Sequence, residues 1–522
     1  MVSCEQVTQE KSKSSSECVI NILLVCRRCS MYFKQKDRVM FRDYGEFGYI
    51  VDNKIFGYKA KVGDDRDVGD KVLSKSASVF FSVLSKEPQS FEIIVRKICS
   101  IFSDVDIDVI KEDAAEFYEV LEKDGFIVSG KTFEDCKNSD VKFSYNICIS
   151  ENINDGYSSN AVYPEITSRE FIERYLDGVP NLTSLHVEIT SRCNERCVHC
   201  YIPHEYKVRD IDDDVFFDIL DQCRDMRVLH ITLSGGEPML HGSFLDFLKK
   251  TREIGLSVNI LSNLTLLDDE IISEMAKNPL LSIQVSLYSM DPDIHDSVTC
   301  VKGSYSKTKD SILKIVANNI PLQISCPVLV NNVECYKDVV RWAEGMNVYV
   351  VTDNVIIAQY NNDVKNLNYR LNNRDVDKII KDKSGSGDKY FQRMREEVAK
   401  KKTSLPTDYI CSVCNSSLCI SENGSVYPCA GWQGCVVGNV NESSISDIWR
   451  SSDKVIYLRG LRRSDFPRCL ECEYKDFCTM CMVRNANESP TGDLFEINEY
   501  FCNIARLNKK VYTDWQDGQE GA

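Results

Sequence analysis

Three cysteines close together open the chemical reading of this chain: Leu185-His186-Val187-Glu188-Ile189-Thr190-Ser191-Arg192-Cys193-Asn194-Glu195-Arg196-Cys197-Val198-His199-Cys200-Tyr201. Thiolates suit zinc and iron–sulfur clusters, and an ordinary cubane cluster takes four of them. The run Cys193-x3-Cys197-x2-Cys200 is one short. Either a zinc ion is completed by His199 or His204, or a [4Fe–4S] cluster keeps one iron open to a small chelating molecule. A second cysteine field begins at Cys411 and runs through Cys414, Cys419, Cys429 and Cys435 to Cys469-x2-Cys472-x5-Cys478-x2-Cys481 and Cys502. Such pairs with isolated partners can hold two four-cysteine sites, as clusters or as zinc ribbons.

The wider composition agrees with metal chemistry. Of 24 cysteines, thirteen fall in these two fields. Clustered cysteines in a reducing compartment bind metal more often than they pair. The scattered remainder, Cys326 and Cys335 among them, read as small buried hydrophobes or tolerated thiols. A formal charge of −16 argues against nucleic acid or an anionic membrane as partner. No apolar stretch reaches the roughly 18 residues of a membrane span. The short run Cys18–Cys26 lacks a small-residue cleavage site and is stopped by Arg27-Arg28, so a cytoplasmic protein is expected.

The elements that must position the cysteines fall into several domains, since 522 residues exceed one hydrophobic core. After an accessory start over residues 1–35, strand patterns at Arg38–Arg42, Phe47–Val51 and Lys54–Tyr58 precede helical ones at Lys75–Leu84, Phe91–Phe102 and Ile110–Asp124. With a strand at Phe126–Val128 they make a domain over 36–130. An Asp/Asn/Ser-rich linker is expected over 131–180. From 181 to 360, apolar runs at Leu185–Thr190, Val228–Ser234, Ser257–Ser262, Leu281–Ser289, Leu322–Leu329 and Val348–Ile357 alternate with helices. Continuous apolar strands in βα units imply a parallel sheet covered by helices, and six units close only part of a barrel. The first cysteines then sit in the loop after the first strand. Residues 361–405 are read as a polar connecting segment and 406–522 as the cysteine-rich end.

Cys193-x3-Cys197-x2-Cys200, followed by the aromatic Tyr201, resembles the signature of the radical S-adenosylmethionine (SAM) superfamily. The resemblance implies an α/β fold with a partial (β/α)6 TIM-type barrel. It also implies a [4Fe–4S] cluster that SAM chelates, and a 5′-deoxyadenosyl radical that abstracts hydrogen. Ser234-Gly235-Gly236-Glu237-Pro238 resembles the motif that holds the methionine amino group; an acidic Glu237 suits an ammonium. Ser262, Asn263 and Ser286 resemble positions that contact ribose and carboxylate. His295-Asp296 is given a structural role. The C-terminal field resembles the SPASM extension of peptide-modifying radical enzymes, which implies two auxiliary [4Fe–4S] clusters. Cys411, Cys414, Cys429 and Cys481 are assigned to one, and Cys469, Cys472, Cys478 and Cys502 to the other. The spacing Cys478-x2-Cys481 departs from the usual x3, and Cys419 and Cys435 are left over.

The N-terminal strands-then-helices order resembles the winged-helix-like domains that recognise ribosomal precursor peptides by adding the leader as a strand. Together these resemblances imply a peptide maturase, of the sactipeptide (thioether-forming) kind, that links a cysteine sulfur to carbon. An electron donor such as flavodoxin or ferredoxin is implied. Sulfatase maturation is disfavoured because Ala430 follows Cys429 where that activity uses an acidic base. Epimerisation, with Cys326, Cys335 or Cys435 returning hydrogen, and carbon–carbon cross-linking are the alternatives. A zinc-scaffolded peptide-binding protein without catalysis is the reading from another class.

Overall fold

The computed structural model describes residues 30–53, 58–60, 69–140, 143–145, 180–384, 388–402 and 404–520. The chain divides into two compact units, Met1–Val179 and Pro180–Ala522.

In the first unit, strands β1 (Tyr32–Gln35), β2 (Val39–Asp43), β3 (Phe47–Asp52), β4 (Tyr58–Ala60) and β5 (Asp70–Ser74) lead into helix α1 (Lys75–Ser82). The short β6 (Gln89–Ser90), helices α2 (Phe91–Ile101) and α3 (Ile107–Lys123), β7 (Ile127–Gly130), α4 (Phe133–Asn138) and β8 (Phe143–Tyr145) follow. Helix starts are set by side-chain caps: Ser74, Ser90, Asp106 and Thr132 accept from Ala77, Ile93, Asp108 and Asp135 backbone N–H groups. Two antiparallel three-stranded sheets, β6-β1-β7 and β2-β3-β5, share a core of Phe33, Ile50, Phe81, Phe91, Ile94 and Tyr118 with the helices. Arg38 and Asp52 form an ion pair at 2.8 Å in full burial, which desolvated charges require. Helix α4 lies within the stretch expected as linker. Residues 146–179 of that stretch, like residues 1–29, lie outside the described residues.

The second unit is built on a nine-stranded sheet. Its parallel strands are β9 (Ser184–Thr190), β10 (His230–Gly235), β11 (Ser257–Ser262), β12 (Leu281–Ser286), β13 (Leu322–Ser325) and β14 (Tyr349–Val351). Between them run α5 (Asp213–Asp225), α6 (Phe244–Glu253), α7 (Asp269–Ala276), α8 (Pro292–Thr299), α9 (Ser304–Ala317) and α10 (Tyr336–Glu344). Helices α11 (Asn373–Ser384) and α12 (Asp388–Lys402) occupy the segment read as a polar connection. Strand β15 (Ser417–Ile420) then returns to pair with β9 in parallel, and β16 (Ser425–Tyr427) and β17 (Gly438–Asn439) extend the sheet antiparallel. Five further helices follow, α13 (Ile445–Ser451), α14 (Asp453–Gly460), α15 (Pro467–Leu470), α16 (Met482–Glu488) and α17 (Glu499–Glu520). Stacked rings of Phe391 and Trp515 tie α12 to α17.

The parallel strands differ from the continuous apolar runs expected. They alternate. Leu185, Val187, Ile231, Leu233, Val258, Ile260, Ile283 and Val285 enter the core beneath the helices, where Phe216 and Phe247 stack. The opposite face carries His186, Thr232, Asn259 and Ser282 in one row, with Glu188 opposite Ser234, Gln284 opposite Leu261 and Ser286 opposite Ser325. Only one face of this sheet is sealed by apolar side chains, so the period of two reappears. Among the described residues no helix is long and apolar enough to cross a membrane.

Candidate iron–sulfur and S-adenosylmethionine site

Strand β9 ends at Thr190, and the next ten residues form the cysteine loop. Its position is fixed from two sides. Backbone N–H groups of Gly236 and Glu237 donate to Thr190 O (2.7 Å) and Arg192 O (2.8 Å), while Arg196 and Val198 donate to Thr299 O and Val298 O at the end of α8. Gly235 has φ +119°, and a Cβ there would stand 2.0 Å from Thr190 O; one on Gly236 would stand 2.0 Å from Arg192 O. The two glycines are therefore required by the chain's own backbone, which crosses directly over them.

The thiols of Cys193, Cys197 and Cys200 face the Lys207 ammonium. Glu195 N–H donates to Cys193 Sγ (3.4 Å), and Cys197 Sγ lies 3.5 Å from the Glu195 carboxylate. Tyr288 hydroxyl reaches Cys197 Sγ at 3.9 Å. Burial pushes the Cys193 thiol up to about 11, and burial with the neighbouring Glu195 raises Cys197 well above the usual range. A bound cation reverses that balance and deprotonates the thiol. Three thiols in one loop fit a four-iron cluster with one iron left to an outside chelator. His199 packs edge-on against Tyr288.

The structure places the remaining residues singled out in the sequence as follows. Glu237 is fully buried. Its carboxylate accepts from Ser262 Oγ (2.8 Å), Asn263 N–H (2.8 Å) and Met239 N–H (3.1 Å), and burial pushes it up to about 7. It thus laces the end of β10 to the end of β11. Asn263 Nδ2 donates to Asn194 Oδ1 (2.8 Å) inside the cysteine loop. Ser286 is half-buried on the polar face of β12 and is hydrogen-bonded to Tyr288. Tyr201 hydroxyl donates to Glu188 Oε1 at 2.8 Å. Asp296 accepts from Ser304 Oγ and Tyr305 N–H at the start of α9. Cys326 is fully buried and points its thiol at Tyr288 O (3.8 Å).

In the second field, Cys411 and Cys429 each neighbour Cys481, and Cys414 neighbours Cys411, Cys429 and Cys435. Cys469, Cys472, Cys478 and Cys502 form a second neighbourhood. Sequence reasoning missed Glu188, Lys207, Glu195, Tyr288 and Gln433. Glu188 had a signal: a lone carboxylate inside an otherwise apolar strand pattern.

A cysteine loop at the end of the first strand of a parallel α/β sheet, followed by two further cysteine neighbourhoods, defines an iron–sulfur protein. Residues 187–343 match the family model described as "Radical SAM superfamily", and 411–473 match SPASM, "Iron-sulfur cluster-binding domain". The chain carries a radical SAM domain and a C-terminal SPASM domain, whose cofactors are [4Fe–4S] clusters and SAM. A tungsten-containing aldehyde ferredoxin oxidoreductase cofactor-modifying protein of Pyrococcus furiosus is 26% identical over 62% of this chain and 98% of its own. A PqqA peptide cyclase of Bradyrhizobium diazoefficiens is 23% identical over 66% of this chain and 91% of its own. Streptococcus suis SuiB, in a crystal structure bound to its precursor peptide SuiA, has the same fold at TM-score 0.55 and 14% identity, covering 89% of this chain and 99% of that one.

Proposed function

We propose that this protein is a radical SAM enzyme that modifies a ribosomally made precursor peptide, forming thioether links from a cysteine sulfur to an acceptor carbon. The observation that carries the radical reading is the three-cysteine loop at the end of β9, held against the Gly235-Gly236 turn by Thr190 and Arg192. Cys193, Cys197 and Cys200 hold the first cluster. Cys411, Cys414, Cys429 and Cys481 hold the nearer auxiliary cluster, and Cys469, Cys472, Cys478 and Cys502 the farther one. When bound, cluster and SAM supply a carbon radical able to take hydrogen from the substrate. The protein's part is to fix the loop through Gly235, Gly236 and Glu237, to place Tyr201, Ser262, Asn263 and Ser286 toward SAM, and to exclude water. The six βα units are read as a partial barrel open on its polar face.

Peptide substrate is supported by the relatives that act on or bind peptides and by the first unit. There β2 and β5 are edge strands of an antiparallel sheet, each with one hydrogen-bonding side unpaired within that sheet. We read the unit as winged-helix-like, with a leader peptide adding to such an edge. A flavodoxin- or ferredoxin-type protein supplies electrons. Anaerobic turnover with a cysteine-containing precursor peptide tests the proposal by mass. Loss of two hydrogens per link, with the cysteine no longer alkylatable, is expected. Unchanged mass with deuterium gained from heavy water indicates epimerisation instead, and no 5′-deoxyadenosine at all refutes the radical reading.

A further inference from the structure

Among the described residues, one trio has the spacing that a single ion needs. A His186 ring nitrogen, a Glu188 carboxylate oxygen and Cys419 Sγ all lie within 4.8 Å of one another. Two paired strands bring them there: Cys419 on β15 stands opposite His186 on β9, and Glu188 follows two residues later on the same face. Donors held by a tetrahedral ion at about 2.0–2.3 Å stand about 3.3–3.8 Å apart, so a contraction of about 1 Å closes the site.

Two further observations separate this trio from an ordinary buried polar patch. Cys419 is fully buried, and its thiol makes no hydrogen bond among the described residues. Other buried thiols do find a carbonyl: Cys136 at Val128 O (3.6 Å) and Cys326 at Tyr288 O (3.8 Å). The other two members are held from behind. His186 Nε2 is hydrogen-bonded to Ser234 Oγ, and Glu188 accepts from Tyr201 hydroxyl (2.8 Å) and from Gln433 Nε2. Outer hydrogen bonds of this kind orient ligating imidazoles and carboxylates. One nitrogen, one oxygen and one sulfur suit a borderline cation, zinc before magnesium or calcium. A divalent ion with one thiolate and one carboxylate is neutral overall, which burial favours. Three protein donors leave a fourth position for water or another outside ligand.

We propose that His186, Glu188 and Cys419 form a mononuclear zinc(II) site, separate from the iron–sulfur cysteines, that fastens β15 to β9 where the C-terminal strands join the parallel sheet. The test uses full-length protein with its iron–sulfur clusters reconstituted anaerobically, incubated with zinc sulfate and desalted. Zinc content and zinc-edge X-ray absorption are then read, the latter blind to iron. The expected result is about one zinc per chain, with a single sulfur at about 2.3 Å and nitrogen or oxygen at about 2.0 Å. Cys419→Ala and His186→Ala each lose most of that zinc while iron content stays at the wild-type level. Wild-type protein that retains no zinc, an all-sulfur zinc shell, or zinc unchanged in both variants overturns the proposal. Because the readout is zinc, failure here leaves the radical reading untouched, and loss of iron or of 5′-deoxyadenosine formation leaves the zinc site untouched.

Discussion

Replacing Gly235 by alanine tests whether the Gly235-Gly236 turn serves the chain's own backbone. The new Cβ meets Thr190 O at 2.0 Å, Thr190 C at 3.1 Å and Glu188 Cβ at 3.3 Å, and φ is +119°. The two nearest obstacles are backbone atoms that cannot swing away, and the nearest is the carbonyl that accepts from Gly236 N–H. Side-chain strain at a positive φ costs about 1–3 kcal/mol, and overpacking a tight contact about 1–3 kcal/mol more. The expected destabilisation is therefore about 2–6 kcal/mol, the sum of those two ranges. Because Thr190 leads directly to Cys193, the displaced loop also loses its cluster. Gly242→Ala is the control, since a Cβ there meets nothing within 4 Å. Urea unfolding of the metal-free proteins, followed by tryptophan fluorescence, and iron analysis after anaerobic reconstitution measure both effects. Gly235→Ala should fall short of wild type by about four irons of roughly twelve. A Gly235→Ala protein that matches Gly242→Ala in both urea midpoint and iron content would refute the reasoning.

Buried carboxylates give this protein an unusual pH dependence. Burial pushes Glu188 up to about 8 and Glu237 to about 7, from an ordinary 4.5. Folding therefore holds these protons more tightly than the unfolded chain does. Their stabilisation is complete below pH 4.5, declines progressively as pH rises from there, and is gone above about 7 for Glu237 and about 8 for Glu188, a loss of about 3–5 kcal/mol each. Unfolding midpoints of the metal-free protein should fall over that window, and Glu188→Gln should flatten the slope; a slope that is unchanged or steeper counts against it. Cys197→Ala should abolish 5′-deoxyadenosine formation and remove about four irons, and full residual turnover would contradict its assignment. In the first unit, Arg38→Ala removes the guanidinium paired with the fully buried Asp52 carboxylate. It should cost about 3–5 kcal/mol in thermal or urea unfolding, and a change under about 1 kcal/mol would show that the pair is dispensable.

The sequence by itself pointed to thiolate metal chemistry and to a βα core with a cysteine-rich end. Thiolates with three and then two residues between them in one loop bring ligand types together locally, so Cys193, Cys197 and Cys200 needed no fold to be read. The βα rhythm placed that loop at a strand end, because hydrophobic periodicity is a local property of the chain. Sequence also grouped the later cysteines, since one CxxC pair anchors each neighbourhood, Cys411/Cys414 in one and Cys469/Cys472 in the other. What only the tertiary structure decided is long-range. It showed that the glycines of residues 235–236 make room for Thr190 and Arg192, and that Glu237 spends its carboxylate on Ser262, Asn263 and Met239. It turned strands expected to be apolar throughout into a sheet with one polar face. It also carried Cys419 across more than two hundred residues to stand beside His186 and Glu188. Such pairings depend on which strand edge is still free when β15 arrives at β9. Hydrogen bonding along a shared edge sets them, and no local pattern in the sequence records it.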